Sequence, residues 1–180
     1  MQEITDEKLV ISDTSCLIAF TNSNKLNVLN KTFNNIEVPP DVKREYEIEY
    51  DNILPGWIKV KEPKDIEWVK KLKNKFGDGE SEAIVLANEE NNSLIVLDDL
   101  NARNYAIDIG LNVTGTLGIL NKAKEKDIIT LDEAINIINI MKRNKFRASD
   151  ELLENVIEIM KKDEERKQEK RSCRVPEGKR

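Results

Sequence analysis

Short apolar runs, each ending in a polar cluster, punctuate the chain. Leu9-Val10-Ile11 runs into Ser12-Asp13-Thr14-Ser15, the pattern of a buried strand leading into a polar turn or a helix start. Ile36-Glu37-Val38 is a second short strand, stopped by Pro39-Pro40. Prolines suit the first turn of a helix, and residues 41–50 follow as one. Trp57-Ile58-Lys59-Val60 alternates, as an edge strand does. Apolar residues at 66, 69, 72 and 76 predict a helix, which Gly77-Asp78-Gly79 interrupts. Glu80 opens the next helix, with Ala83, Ile84 and Ala87 on one face. Residues 93–97 form the clearest buried strand and end at Asp98-Asp99. A helix over 101–109 closes at Gly110. A short strand at 111–113 turns through Thr114-Gly115-Thr116 into a helix that reaches Lys126. Residues 131–141 are helical, with apolar residues on more than one side, and Leu152, Leu153, Val156, Ile157 and Met160 make an amphipathic stripe. Beyond Met160 the chain is almost wholly polar, and a solvated helix end that frays is expected.

Strands alternating with helices predict an α/β fold with a mainly parallel sheet. The 180 residues suffice for one such domain, and no Gly/Ser-rich linker or internal repeat divides them. The longest hydrophobic runs, 16–20 and 83–87, fall far short of the about 20 residues of a membrane span. The N-terminal stretch Met-Gln-Glu-Ile-Thr-Asp-Glu lacks the apolar region of a signal peptide. Cys16 and Cys173 form neither a C-x-x-C pair nor a disulfide framework, so a reducing, cytoplasmic setting is expected.

Charge and composition narrow the chemistry. The chain has no histidine, which excludes Ser-His-Asp and Cys-His catalysis and His-ligated zinc. The net charge of −5 is unevenly spread: residues 161–180 carry +4, and residues 1–160 carry −9. Open parallel sheets bind ligands at the carboxyl ends of their strands. Asp13, Asp98 and Asp99 stand at two such ends, Thr114 and Thr116 at a third. Glu80 or Glu82, in the first turn of the helix after Gly79, and Glu45, after Pro39-Pro40, can join them. Each acid taken singly is an ordinary helix cap or a solvated face. Together on one edge they would repel strongly unless a hard cation lay among them, and oxygen ligands alone select Mg²⁺ or Mn²⁺. Such a cation activates water and neutralises charge on a phosphoryl group, which is phosphodiester hydrolysis.

Five motifs occur in order: Asp13-Thr14-Ser15; Pro39-Pro40-x-Val42-x-x-Glu45; Gly79-Glu80-Ser81-Glu82-Ala83-Ile84-x-Leu86-Ala87; Leu97-Asp98-Asp99-x-x-Ala102-Arg103; and Thr114-Gly115-Thr116-Leu117-Gly118. In this series the chain resembles the PIN-domain superfamily, and within it a prokaryotic branch related to VapC-type toxins. Phe146-Arg147-x-Ser149-x-Glu151-Leu152 also matches that branch, so the resemblance spans residues 8–157. It implies a three-layer α/β/α fold with a mainly parallel central sheet and a C-terminal helix, here residues 1–160 followed by a charged tail over 161–180. It further implies a Mg²⁺- or Mn²⁺-dependent nuclease, usually a ribonuclease cutting single-stranded RNA to leave a 5′-phosphate and a 3′-hydroxyl. The acidic quartet carries over onto Asp13, Glu45, Glu80 and Asp99. Asp13 and Asp99 anchor the metal, Asp98 assists, and Glu80 and Glu82 compete for the third place. Glu80 is preferred, because Ala83, Ile84 and Ala87 then turn inward at +3, +4 and +7. Ser15 matches a hydroxyl position near the metal, and Thr116 is a hydroxyl behind the carboxylates.

Lys70, Lys71, Lys73 and Lys75 form a basic cluster, read either as a solvated helix face or as a phosphate-tracking surface for RNA. The apolar excess at 131–141 suits either core or a homodimer seam. A toxin of this kind would have an antitoxin protein as partner. The second reading is a catalytically silent PIN-like binding or regulatory module. The third, an Asp-nucleophile phosphatase, lacks its D-x-D.

Overall fold

A computed structural model describes residues 8–51 and 53–172, and the side chains of these up to Glu169. The order of elements is β1 (Val10–Ser12), α1 (Thr14–Asn22), α2 (Asn27–Thr32), β2 (Ile36–Val38), α3 (Pro40–Tyr50), β3 (Ile58–Val60), α4 (Ile66–Leu72), α5 (Asp78–Glu89), β4 (Leu94–Val96), α6 (Leu100–Asp108), β5 (Asn112–Thr114), α7 (Thr116–Glu125), α8 (Leu131–Arg143) and α9 (Asp150–Ser172). The expected strands and helices fall within a few residues of these bounds. Two helices were not anticipated as such. The run at 16–20 belongs to α1, and α2 is a six-residue helix with no side-chain cap.

All strand pairs are parallel, in the order β3-β2-β1-β4-β5, and the alternating strand at 58–60 is an edge. The register sets Val10 beside Ile36 on one side and Leu94 on the other. Side chains alternate across a strand, so each strand feeds two cores. Val10, Ile36, Val38, Leu94 and Val96 pack into one with α1, α2, α3, α7, α8 and α9. Ile11, Ile95 and Leu97 pack into the other with α4, α5 and α6. The result is a three-layer α/β/α fold.

Ala134, Ile137, Ile138 and Met141 of α8 are buried in the first core, which accounts for the apolar excess there. Trp57 packs on that core and Trp68 on the other, its indole N–H donating to the Tyr105 hydroxyl at 3.3 Å. Helix α9 runs unbroken past 161 through 172. Its hold is Lys124, only 2% exposed, which pairs with Glu164 at 2.9 Å and donates to the Met160 carbonyl at 3.2 Å. Lys167 adds bonds to the Glu125 carbonyl and to Asp127. The apolar stripe ends at Met160, and these polar bonds carry the helix onward. The N-terminal acidic stretch, Cys173 and the end of the basic tail lie outside the described residues. Among the described residues, no helix is long and apolar enough to cross a membrane.

Candidate active site

The strand order has a switch point. From β1 the chain builds outward to β2 and β3, then crosses to β4 and builds the other way to β5. The two directions leave a crevice at the carboxyl ends of β1 and β4, where open α/β sheets bind ligands. Asp13 is the first residue after β1, and Asp98 and Asp99 follow β4 closely.

Each of these carboxylates is held locally. Asp13 donates its backbone N–H to Val96 O at 3.3 Å and caps α1, one carboxylate oxygen accepting from the Cys16 N–H at 3.1 Å. Its other oxygen, Oδ2, is buried with no hydrogen-bond partner. Asp98 accepts from both the backbone N–H (2.9 Å) and the hydroxyl of Thr116. Asp99 caps α6, accepting from the N–H groups of Asn101 and Ala102 at 2.9 and 3.0 Å. The caps satisfy helix N-termini and also fix where the remaining oxygens lie.

Glu45 and Glu80 come from the flank. Glu45, on α3, accepts from the Thr14 hydroxyl and from the Gly79 N–H at 3.1 Å, tying α1, α3 and α5 together. Glu80 folds back to accept from the Gly77 N–H at 3.1 Å. Gly79 is what lets α5 come this close, since a Cβ there would sit 2.9 Å from both Glu45 Oε2 and Val42 Cγ2. Gly79→Ala is therefore expected to destabilise the fold. Overpacking costs about 1–3 kcal/mol and outweighs the under 1 kcal/mol gained in helix propensity. Glu45 is displaced as well, and calorimetry reads the cost as a lower melting temperature.

Glu82 is placed elsewhere. It accepts from the Asp41 N–H at 2.8 Å, and Lys73 lies 3.8 Å away. Two residues apart on a helix, the glutamates leave α5 in different directions. Lys73 is half-buried among Asp41, Asp78 and Glu82 rather than held out in solvent. Lys70 pairs with Glu67 at 2.8 Å, and Lys75 lies 6.0 Å from the centroid of the Tyr105 ring. Lys71 is exposed. Asp41, at the start of α3, is buried and desolvated, yet Lys73 and Arg44 hold its carboxyl below the usual range.

Electrostatics set the crevice apart. Burial pushes the Asp13 carboxyl well above the usual carboxylate range, and the neighbouring charges of Asp98 and Glu80 push it further, against the pull of the Cys16 and Asp98 backbone N–H groups. Asp98 is raised by burial against the opposing pull of Thr116, Arg103 and Arg147. Glu80 is raised by burial and by Asp99 and Glu45, against the Gly77 N–H and Arg147. Thr116→Val removes the hydroxyl donor to Asp98. It is expected to cost about 1–3 kcal/mol, the penalty for stranding a buried acceptor, and to raise the Asp98 pKa further. Denaturant unfolding and carboxyl titration by NMR read the two effects.

Two residues join the site without having been singled out. Arg147, in the turn before α9, brings Nη1 to 3.8 Å from Glu80 Oε1 and 3.9 Å from Asp99 Oδ2. Thr14 holds Glu45, whereas Ser15 lines a pocket beside Arg147. Arg147 lay within a quoted motif, but nothing in its spacing signals the strand ends of another part of the chain.

A divalent cation suits the donor set. The donors are all oxygens, Asp98 and Glu80 raise Asp13 while Asp99 and Glu45 raise Glu80, and Asp13 Oδ2 is buried without a hydrogen-bond partner. Among the described residues, no three such side chains already close into one metal shell. Asp13, Glu80 and Asp99 accept from N–H groups of their own helix starts, Glu45 and Asp98 from donors on other elements, and Arg147 lies between Glu80 and Asp99.

A protein-family model, DUF3368, described as a PIN domain, matches residues 9–162. No curated protein and no solved structure matches the chain.

Proposed function

The chain belongs to the PIN-domain family, and from that premise we propose that it is a Mg²⁺- or Mn²⁺-dependent nuclease hydrolysing phosphodiester bonds in single-stranded RNA. The observation that carries this reading is the unpartnered, buried Asp13 oxygen in the field of Asp98 and Glu80. Such an arrangement is costly without a cation and useful with one.

Asp13 and Asp99 would hold the cation, with Glu45 and Glu80 completing the set through water or beside a second ion. Bound there, a divalent cation supplies an activated water and neutralises charge on the phosphoryl oxygens. The protein's own part is positional. Thr14 and the Gly79 N–H keep Glu45 turned inward, Thr116 keeps Asp98 ionisable, and Arg147 brings a cation that the scissile phosphate can engage in place of Glu80 and Asp99. We place the activity in the cytoplasm. The chain would act as the toxin of a toxin–antitoxin pair, with a small antitoxin protein as partner and a homodimer as the working form.

Incubating the full chain with Mn²⁺ and end-labelled single-stranded RNA tests this. Cleavage is expected, and it is lost with EDTA and in Asp99→Asn. A folded wild-type protein that neither binds Mn²⁺ by calorimetry nor cuts RNA overturns it. That result would support a silent binding module, which the position of Arg147 between two carboxylates also favours. For the toxin assignment, expression of wild type but not of Asp99→Asn arrests growth, and the small protein encoded beside it releases the arrest.

A further inference from the structure

We propose that the pocket between α1 and the α8–α9 turn takes one unpaired nucleobase of the bound strand, with Lys145 and Arg147 on the phosphates flanking it. This rests on the nuclease reading and adds a recognition site to it. The pocket encloses about 150 Å³. That lies below the about 300–1,000 Å³ of sites for drug-sized ligands, and suits a single flat ring system. Ile18, Ala19, Met141 and Phe146 give it apolar and aromatic walls, the surroundings on which an unstacked base settles.

Polar groups stand where a nucleotide needs them. Asn22 and Asn144 line the pocket with amides, which read base edges by donating and accepting. The Asn22 carbonyl already accepts from the Tyr50 hydroxyl at 2.8 Å, so its N–H groups are kept for a base acceptor. No acidic residue lines the pocket, whereas two cations do. One of these, Arg147, lines the pocket and also reaches to within 4 Å of Glu80 and Asp99, so a single side chain links the pocket to the acidic crevice. A base in the pocket then has its own phosphate within reach of Arg147. A paired base cannot enter, which makes single-strandedness a condition of binding.

The backbone carries an independent mark. Helix α8 closes with Phe146 N–H donating to Met141 O (3.0 Å) and Lys145 N–H to Lys142 O (3.2 Å), a turn that normally places glycine at the left-handed position. Lys145 occupies it, with φ of 54°. The four other non-glycine residues with positive φ among those described are Asn or Asp, which tolerate that conformation. A lysine there is strained, and it is one of the residues that line the pocket.

The test is binding of short, labelled single-stranded oligoribonucleotides in EDTA, with each position in turn made abasic. One abasic position is expected to weaken binding about tenfold, while the others have little effect. Lys145→Gly is expected to weaken binding of the intact strand while melting at or above the wild-type temperature. Ala19→Leu, which fills the pocket, abolishes the abasic effect. Equal sensitivity at every position, or wild-type affinity in Lys145→Gly, overturns the proposal. If wild type still cuts RNA with Mn²⁺ in that case, the nuclease reading stands and the base pocket falls. If wild type neither binds nor cuts any RNA, both fall.

Discussion

Asp13→Asn is expected to make the chain more stable and inactive at once. The carboxylate is 2% exposed, one of its oxygens has no partner, and its charge is opposed by burial, Asp98 and Glu80. Asparagine caps helices as well as aspartate does, so the bond from the Cys16 N–H survives. The neutral amide also removes the buried charge that desolvation, Asp98 and Glu80 oppose. Relief of a buried, incompletely partnered carboxylate is worth about 1–3 kcal/mol. At about 2–4 °C per kcal/mol for a chain of this length, melting rises by several degrees. A residue that merely supports a metal ligand costs about 10–100-fold when lost, so removing the ligand itself costs at least the upper end of that range in Mn²⁺-dependent cleavage. Calorimetric melting and single-turnover cleavage check the two halves. Destabilisation with activity retained would make Asp13 a simple helix cap.

In EDTA, the stability advantage of Asp13→Asn over wild type is expected to grow as pH rises from about 4 toward neutrality. Asp13, Asp98 and Glu80 all have folded pKa values above their unfolded ones. Between the unfolded and folded values the native state holds protons that the unfolded chain has released. Stability from these groups is therefore full below the unfolded pKa and is lost as pH climbs through the folded one. Asp41, with its carboxyl held low by Lys73 and Arg44, contributes in the opposite sense and loses stability at acid pH. Comparing the variant with wild type removes Asp41 from the difference. Adding Mn²⁺ should then raise the wild-type melting temperature more at pH 8 than at pH 5, because the cation needs the deprotonated carboxylates. Melting scans across pH, with and without Mn²⁺, measure this, and equal gains at both pH values would reject the coupling.

The legible and the illegible parts of the fold divide along physical lines. The strand at 36–38 and the one ending before Asp98 were visible because an apolar run bounded by polar or proline residues needs no distant partner to be recognised. Helix α1 was only half visible, because a continuous apolar run such as 16–20 has no period to read. The six residues of α2 have neither a side-chain cap nor a long stripe. The extension of α9 past Met160 depends on Lys124, a residue that local pattern would assign to solvent.

The site divides the same way. An acid after a strand or in a first helical turn is a local fact, and Asp13, Asp99 and Glu80 could be named from the order of residues alone, as could the absence of histidine that leaves carboxylates as the chemistry. Which acids share a crevice is a long-range fact. It follows from β4 pairing beside β1, from Gly79 letting α5 close on Glu45, and from the α8–α9 turn delivering Arg147 to Glu80 and Asp99. It also separates Glu82 and Lys73 from the crevice and joins them with Asp41. Local order carries side-chain chemistry and backbone preference. Burial, and with it every raised pKa on which the proposed chemistry depends, exists only once distant segments exclude water together.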